Sequence, residues 1–202
     1  MSFKTKQYEV VEGIIPPLIA DVAFDYLLLR RKVQKTLISK KIIDPTDELY
    51  GHYHDWQAPN TWCLYGDPLC EVLLHRLLSV MSQVVSKTLI PHYTYARLYK
   101  KGDVLKKHVD RTSCTISATI FLGGDEWPIF LKPDKKKPIK VELKPGDALV
   151  YKGEVFPHWR NKFTKAVCGQ LFVHYGYQDD PTHLKNIFDK RDHLGLPYGQ
   201  NK

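Results

Sequence analysis

The 202-residue chain has no apolar run approaching 18 residues, which argues against a membrane-spanning helix. Behind Met1-Ser2-Phe3-Lys4-Thr5-Lys6 no apolar stretch follows, so no secretory signal is visible. Its 4 cysteines, Cys63, Cys70, Cys114 and Cys168, are scattered and form no CxxC pair. These absences predict reduced thiols in an intracellular, cytoplasmic protein with no membrane attachment. There is also no internal repeat, which sets aside solenoids and propellers.

What is present is ordinary core material. Hydrophobic residues make up 43% and aromatic residues 12%, enough for one domain to fold without disulfides or a structural metal. Lysine and arginine number 30 against 22 acidic residues, a formal charge of +8. Such a balance favours anionic partners: nucleic acid, an acidic protein, or a small carboxylate or phosphate ligand. Part of the excess is local, in Lys132-Pro133-Asp134-Lys135-Lys136-Lys137-Pro138. That run reads as a solvated hairpin tip, with a nucleic-acid contact as the alternative.

Periodicity divides the chain. Residues 1–90 read as a helical support region. Apolar positions recur at helical spacing from Leu18 to about Leu37, behind Pro16 and Pro17. A second helix is predicted from about Pro68 to Lys87, with Asp67 as N-cap and Pro91 as its stop. Between them, Tyr50 to Tyr65 has no period and reads as an ordered loop or lid. From 91 to 176 the texture alternates. Strands are predicted at Tyr93–Tyr99, Cys114–Leu122, Pro128–Lys132, Ile139–Leu143, Ala148–Lys152 and Val167–Tyr175. Short turns and no intervening helices argue for an antiparallel barrel or sandwich. Residues 177–202 read as a tail, with a short helix around Thr182 to Asp192 and a loose end.

One His-x-Asp triplet occurs, His108-Val109-Asp110, where chance alone gives about 0.7. Alternation puts both side chains on one strand face. With one more histidine they would form a 2-His-1-carboxylate facial triad, which leaves metal positions open and suits Fe(II) oxygenase chemistry. His158, in Phe156-Pro157-His158-Trp159-Arg160, is the best third ligand. His174 is the rival and reads as a core histidine or one that orients a ligand. His52 and His54 share a face, as in an HxH metal motif, but no glutamate follows at a suitable distance.

Several runs together resemble one family. Tyr99-Lys-Lys-Gly102-Asp-Val-Leu105-Lys-Lys-His108-Val-Asp110-Arg111 is similar to the Y-x-x-G-x-x-L-x-x-H-x-D segment of iron(II)- and 2-oxoglutarate-dependent dioxygenases of the prolyl-hydroxylase-like superfamily. Pro145-Gly146-Asp147-Ala148-Leu149-Val150-Tyr151, His158-Trp159-Arg160, Gln170-Leu-Phe-Val-His174-Tyr175 and Trp127-Pro128-Ile129 fit a bacterial and phage-type branch. The likeness covers roughly residues 90 to 176. It implies a mainly β fold, a double-stranded β-helix (jelly-roll) core with the N-terminal helices packed on one sheet.

The resemblance makes His108, Asp110 and His158 both catalytic residues and iron ligands. It implies Fe(II), 2-oxoglutarate and O₂ as cofactor and cosubstrates, with ascorbate in support. Turnover would yield succinate and CO₂ and hydroxylate a protein side chain such as prolyl, a peptide or a free amino acid. A nucleic-acid substrate and a non-catalytic cupin-like module are the alternatives. The far carboxylate of 2-oxoglutarate needs a buried cation. Family members usually place it on the last core strand, about ten residues after the distal histidine. Those positions here are Val167, Cys168, Gly169 and Gln170. Arg160, two residues past His158, is the expected substitute, and Lys165 the runner-up. Tyr99 is expected to add a hydroxyl to the cosubstrate. Arg97, Arg111 and Gln170 are expected on the substrate side or behind the ligands. A solvent-paired Arg160 and a packed core Tyr99 are the plain alternatives.

Overall fold

The computed structural model describes residues 3–133 and 136–197. A short helix α1 (Phe3–Lys6) and strand β1 (Tyr8–Val11) precede the long helix α2 (Pro17–Ser39). α2 starts where a proline amide would have had no partner anyway. Strand β2 (Trp62–Tyr65) leads into α3 (Pro68–Val85), whose N-cap Asp67 accepts from the Leu69 amide at 3.0 Å. α3 ends because Ser86 turns left-handed (φ 57°), not because of Pro91. Pro91 instead lies inside β3 (Leu89–Lys100). It is tolerated at a bulge, since the β10 pairing shifts between His174 and Tyr175 and β2 meets β3 only from Tyr95 to Leu98.

The remaining strands are β4 (Leu105–His108), β5 (Ile116–Gly124), β6 (Ile129–Leu131), β7 (Ile139–Val141), β8 (Ala148–Tyr151), β9 (His158–Arg160) and β10 (Val167–Tyr177). They form two antiparallel sheets, ordered β1-β8-β5-β10-β3-β2 and β4-β9-β6-β7. The chain passes back and forth between them: β3, β5, β8 and β10 build the large sheet, while β4, the β6–β7 hairpin and β9 build the small one. This is the double-stranded β-helix that the resemblance implies.

Alternation on the large sheet creates two cores. Leu171, Val173 and Tyr175 of β10 face α2 and α3, packing with Leu27, Leu74 and Met81. Cys168 and Phe172 face the small sheet, with Leu131 and Val141. Burying each large side chain is worth about 1.5–3 kcal/mol, so these cores outweigh any single polar contact. α3 meets the length and composition of a membrane span, a reading the sequence argument set aside. Here it is a core helix on β3, with Cys70, Leu74, Leu77 and Met81 buried. All four cysteines are buried, unpaired thiols.

One expectation is corrected. Beyond β10, a four-residue helix α4 (Pro181–Leu184) and a 3-10 turn (Ile187–Lys190) replace the single short helix expected around Thr182 to Asp192. The end expected to be loose, residues 198–202, lies outside the described residues, and the segment before it is tied to the core. Arg191 is buried and pairs with buried Glu71 of α3 at 2.6 Å, because a carboxylate on the inner face of α3 needs a counter-charge. In the basic hairpin, Lys132, Lys136 and Lys137 are exposed, whereas Asp134 and Lys135 lie outside the described residues.

Candidate active site

His108 ends β4 and His158 begins β9, and the two are direct cross-strand partners. Asp110, two residues on, is held by its amide, which donates to the Gly153 carbonyl at 2.9 Å. As a result Asp110 Oδ1 lies 3.4 Å from Nε2 of both His108 and His158. The other ring nitrogens are spent on the backbone: His108 Nδ1 donates to Lys106 O at 2.7 Å and His158 Nδ1 to Phe156 O at 3.0 Å. With the protons held on Nδ1, each Nε2 offers a lone pair. Three acceptor atoms therefore converge, an arrangement that repels itself unless a cation joins them. Asp110 Oδ2 also accepts from Ser117 Oγ at 2.8 Å.

On β9 the residue between His158 and Arg160 points outward, Trp159 stacking on Phe130 at 5.6 Å. Arg160 points inward and is 1% exposed. One of its Nη atoms donates to the Trp127 carbonyl, while Nε and the other Nη have no partner among the described residues. Buried donors left unpaired cost about 1–3 kcal/mol each, so the guanidinium fits an incoming carboxylate. Burial pushes its pKa down from the ordinary value. Tyr99 is fully buried, its hydroxyl accepting from Arg97 Nη1 at 3.2 Å and its ring edge-on to Trp127 at 4.8 Å. Lys165 is exposed in the β9–β10 connection, in a groove with Asn161 and Thr164 outside the triad's cleft.

A cleft of about 590 Å³ opens onto the triad. Its walls include Trp56, Tyr65, Tyr93, Tyr95, Arg97 and His174. The 50–61 loop, expected as a lid, forms one wall: exposed Trp56 lies edge-on to His108 at 6.3 Å. Arg97 is anchored to this loop, 2.5 Å from Asp55 Oδ2 and 2.7 Å from Gln57 Oε1. Burial raises the Asp55 pKa, yet Arg97 and the Gln57 amide bring it below the ordinary value. Arg111 stacks on Tyr93 and meets Asp189 Oδ2 at 2.6 Å. Gln170 bonds Thr119 and Cys168 inside the core. His174 stands behind the triad, 3.0 Å from the Ser117 hydroxyl that holds Asp110, and burial pushes its pKa down to about 4.

Sequence reasoning missed Asp55, Tyr93 and Tyr95 as cleft residues. The two tyrosines were legible in principle, since Tyr93, Tyr95, Arg97 and Tyr99 alternate on β3. Asp55 carried no signal. His52 and His54 stack at 4.2 Å, and His54 Nε2 lies 3.0 Å from Glu48, a glutamate that precedes the pair and so escaped a search downstream of it.

No family model matches the chain, and no curated protein matches it in sequence. Solved structures do match. A Pseudomonas putida prolyl-4-hydroxylase aligns with TM-score 0.60 and 14% identity over 85% of this chain and 94% of that one. The viral collagen prolyl hydroxylase vCPH from Paramecium Bursaria Chlorella virus-1, a 2OG complex, aligns with TM-score 0.58 and 12% identity over 84% and 96%. HygX from Streptomyces hygroscopicus, with nickel and 2-oxoglutarate bound, aligns with TM-score 0.60 and 14% identity over 88% and 85%. The chain thus has the fold of the 2-oxoglutarate- and iron-dependent oxygenases, prolyl hydroxylases among them.

Proposed function

We propose that the chain is an Fe(II)- and 2-oxoglutarate-dependent oxygenase that hydroxylates a protein or peptide side chain such as prolyl, or a free amino acid. The observation that carries this reading is a pair of unmet needs on neighbouring positions. Three metal-ligating acceptors converge at His108, Asp110 and His158, and two residues further along β9 a buried guanidinium lacks two acceptors. The first suits Fe(II) and the second suits a dicarboxylate. Bound iron would supply the redox chemistry that couples decarboxylation of 2-oxoglutarate to oxygen insertion into a C–H bond.

The chain's own groups do the rest. Lys106 O and Phe156 O hold the two imidazoles with Nε2 inward, and Ser117 orients Asp110. Arg160 binds the far carboxylate, and Tyr99 contributes a hydroxyl at that end. Tyr65, Tyr93, Tyr95 and Trp56 supply apolar ring faces that suit an aliphatic ring such as proline's and exclude water from the open side. Purified protein incubated with Fe(II), ascorbate and 2-oxoglutarate, alone and then with prolyl peptides, amino acids or oligonucleotides, tests the reading. Succinate that rises with a peptide or amino acid is expected. Stimulation by oligonucleotides alone would move the substrate to nucleic acid, and no succinate under any condition would refute the oxygenase reading.

A further inference from the structure

We propose that Glu48, His52 and His54 form a second metal site, for a divalent transition metal with imidazole affinity such as Zn²⁺, at the mouth of the same cleft. One ligand atom from each of the three lies within 4.8 Å of the others, and all three line the cleft. The tautomer of His52 gives an independent reason. Its Nε2 is 3.1 Å from the Tyr95 hydroxyl, whose single proton goes to the Asp55 carboxylate at 3.2 Å, an acceptor only. With that proton on Asp55, His52 Nε2 is the donor and its Nδ1 carries a lone pair. His52 is 8% exposed, and that Nδ1 has no partner among the described residues. A ring fixed through one nitrogen with the other left bare is how metal-ligating histidines are held. The iron triad of this chain shows the same arrangement, with the roles of the two nitrogens exchanged.

The other two ligands are accessible. The His54 and Glu48 side chains are 63% and 56% exposed and meet at 3.0 Å, a contact in which an ion would replace the bridging proton. Two imidazoles, one carboxylate and a water complete a tetrahedral set. Glu48 belongs to a 3-10 turn (Glu48–Tyr50) and the histidines to the loop carrying Asp55 and Trp56. An ion here ties that turn to the loop and fixes one wall of the cleft.

Equilibrium dialysis of the metal-free protein against Zn²⁺ tests the site, and it separates this inference from the oxygenase reading. Wild type is expected to take up two equivalents and His108→Ala/His158→Ala one. Adding Glu48→Gln and His54→Ala to that background should weaken the remaining site by at least about 100-fold, since even outer partners of a metal ligand are worth 10–100-fold. Both added positions are exposed, so the fold survives the change. If the variant lacking His108 and His158 binds no Zn²⁺ while wild type binds one equivalent, the second site is refuted and the triad stands. If that one equivalent survives loss of Glu48 and His54 in the same background, the ion sits elsewhere and the assignment fails.

Discussion

Arg160 concentrates the residue-scale argument. Its guanidinium is buried, bonded at one Nη and bare at Nε and the other. Arg160→Ala should therefore raise the Michaelis constant for 2-oxoglutarate roughly 10- to 100-fold, the scale of one charge-assisted pair, with iron affinity nearly unchanged. Arg160→Lys should recover only part of this, because an ammonium lacks the planar fork. Succinate assays at graded 2-oxoglutarate decide it. An unchanged constant in Arg160→Ala, with a large loss in Lys165→Ala, would move the anchor to the loop. His174 carries a second expectation. Its folded pKa is about 4 against an ordinary 6.5, because burial disfavours the charged ring. The unfolded chain therefore binds the proton first. Stability is full above about 6.5 and falls as pH drops towards 4, by up to about 3 kcal/mol. Urea unfolding of the metal-free protein at pH 7 and pH 4.5 should show a smaller loss for His174→Gln than for wild type. Equal losses would mean that His174 is not buried neutral.

At the scale of elements, the turn after β8 sets the carboxylate. A Cβ on Gly153 would collide with Asp110 Oδ2, Ser117 Oγ and the Cys114 carbonyl. Gly153→Ala should therefore displace Asp110 and lower metal affinity by at least about tenfold. Calorimetric metal titration beside a melting curve checks this; wild-type affinity would show that the turn yields without moving Asp110. Elements with their own periodicity or turn boundaries were legible in the sequence, namely α2, α3, β3, β5, β6, β7, β8 and β10. β1 and β2 were not. β1 has four residues with no strong alternation and exists because its backbone pairs with β8. The 50–61 loop has no period because its order comes from distant partners: Arg97 for Asp55, Cys63 for His52 and Gln34 for Gly51. Similarly, nothing local reveals that Arg191 answers Glu71 across 120 residues.

At the scale of the molecule, strand order was legible only through the family resemblance, since alternation predicts strands but not which sheet each one joins. The triad was legible because its spacing is local for His108 and Asp110, and β4–β9 register brings His158 opposite. The charge of +8 bears on partners, and the hairpin lysines test it. Replacing Lys135, Lys136 and Lys137 with Ser should change stability by less than about 0.5 kcal/mol and leave 2-oxoglutarate turnover intact. A loss confined to oligonucleotide substrates would instead make the hairpin a phosphate contact. The central claim is that His108, Asp110 and His158 hold one catalytic Fe(II). The most direct measurement is succinate formation from 2-oxoglutarate with added Fe(II), for wild type and for His108→Ala, Asp110→Ala and His158→Ala. Turnover by wild type alone, with all four proteins unfolding at similar temperatures, is the predicted result. Wild-type-like succinate from any one of the three variants would contradict the account.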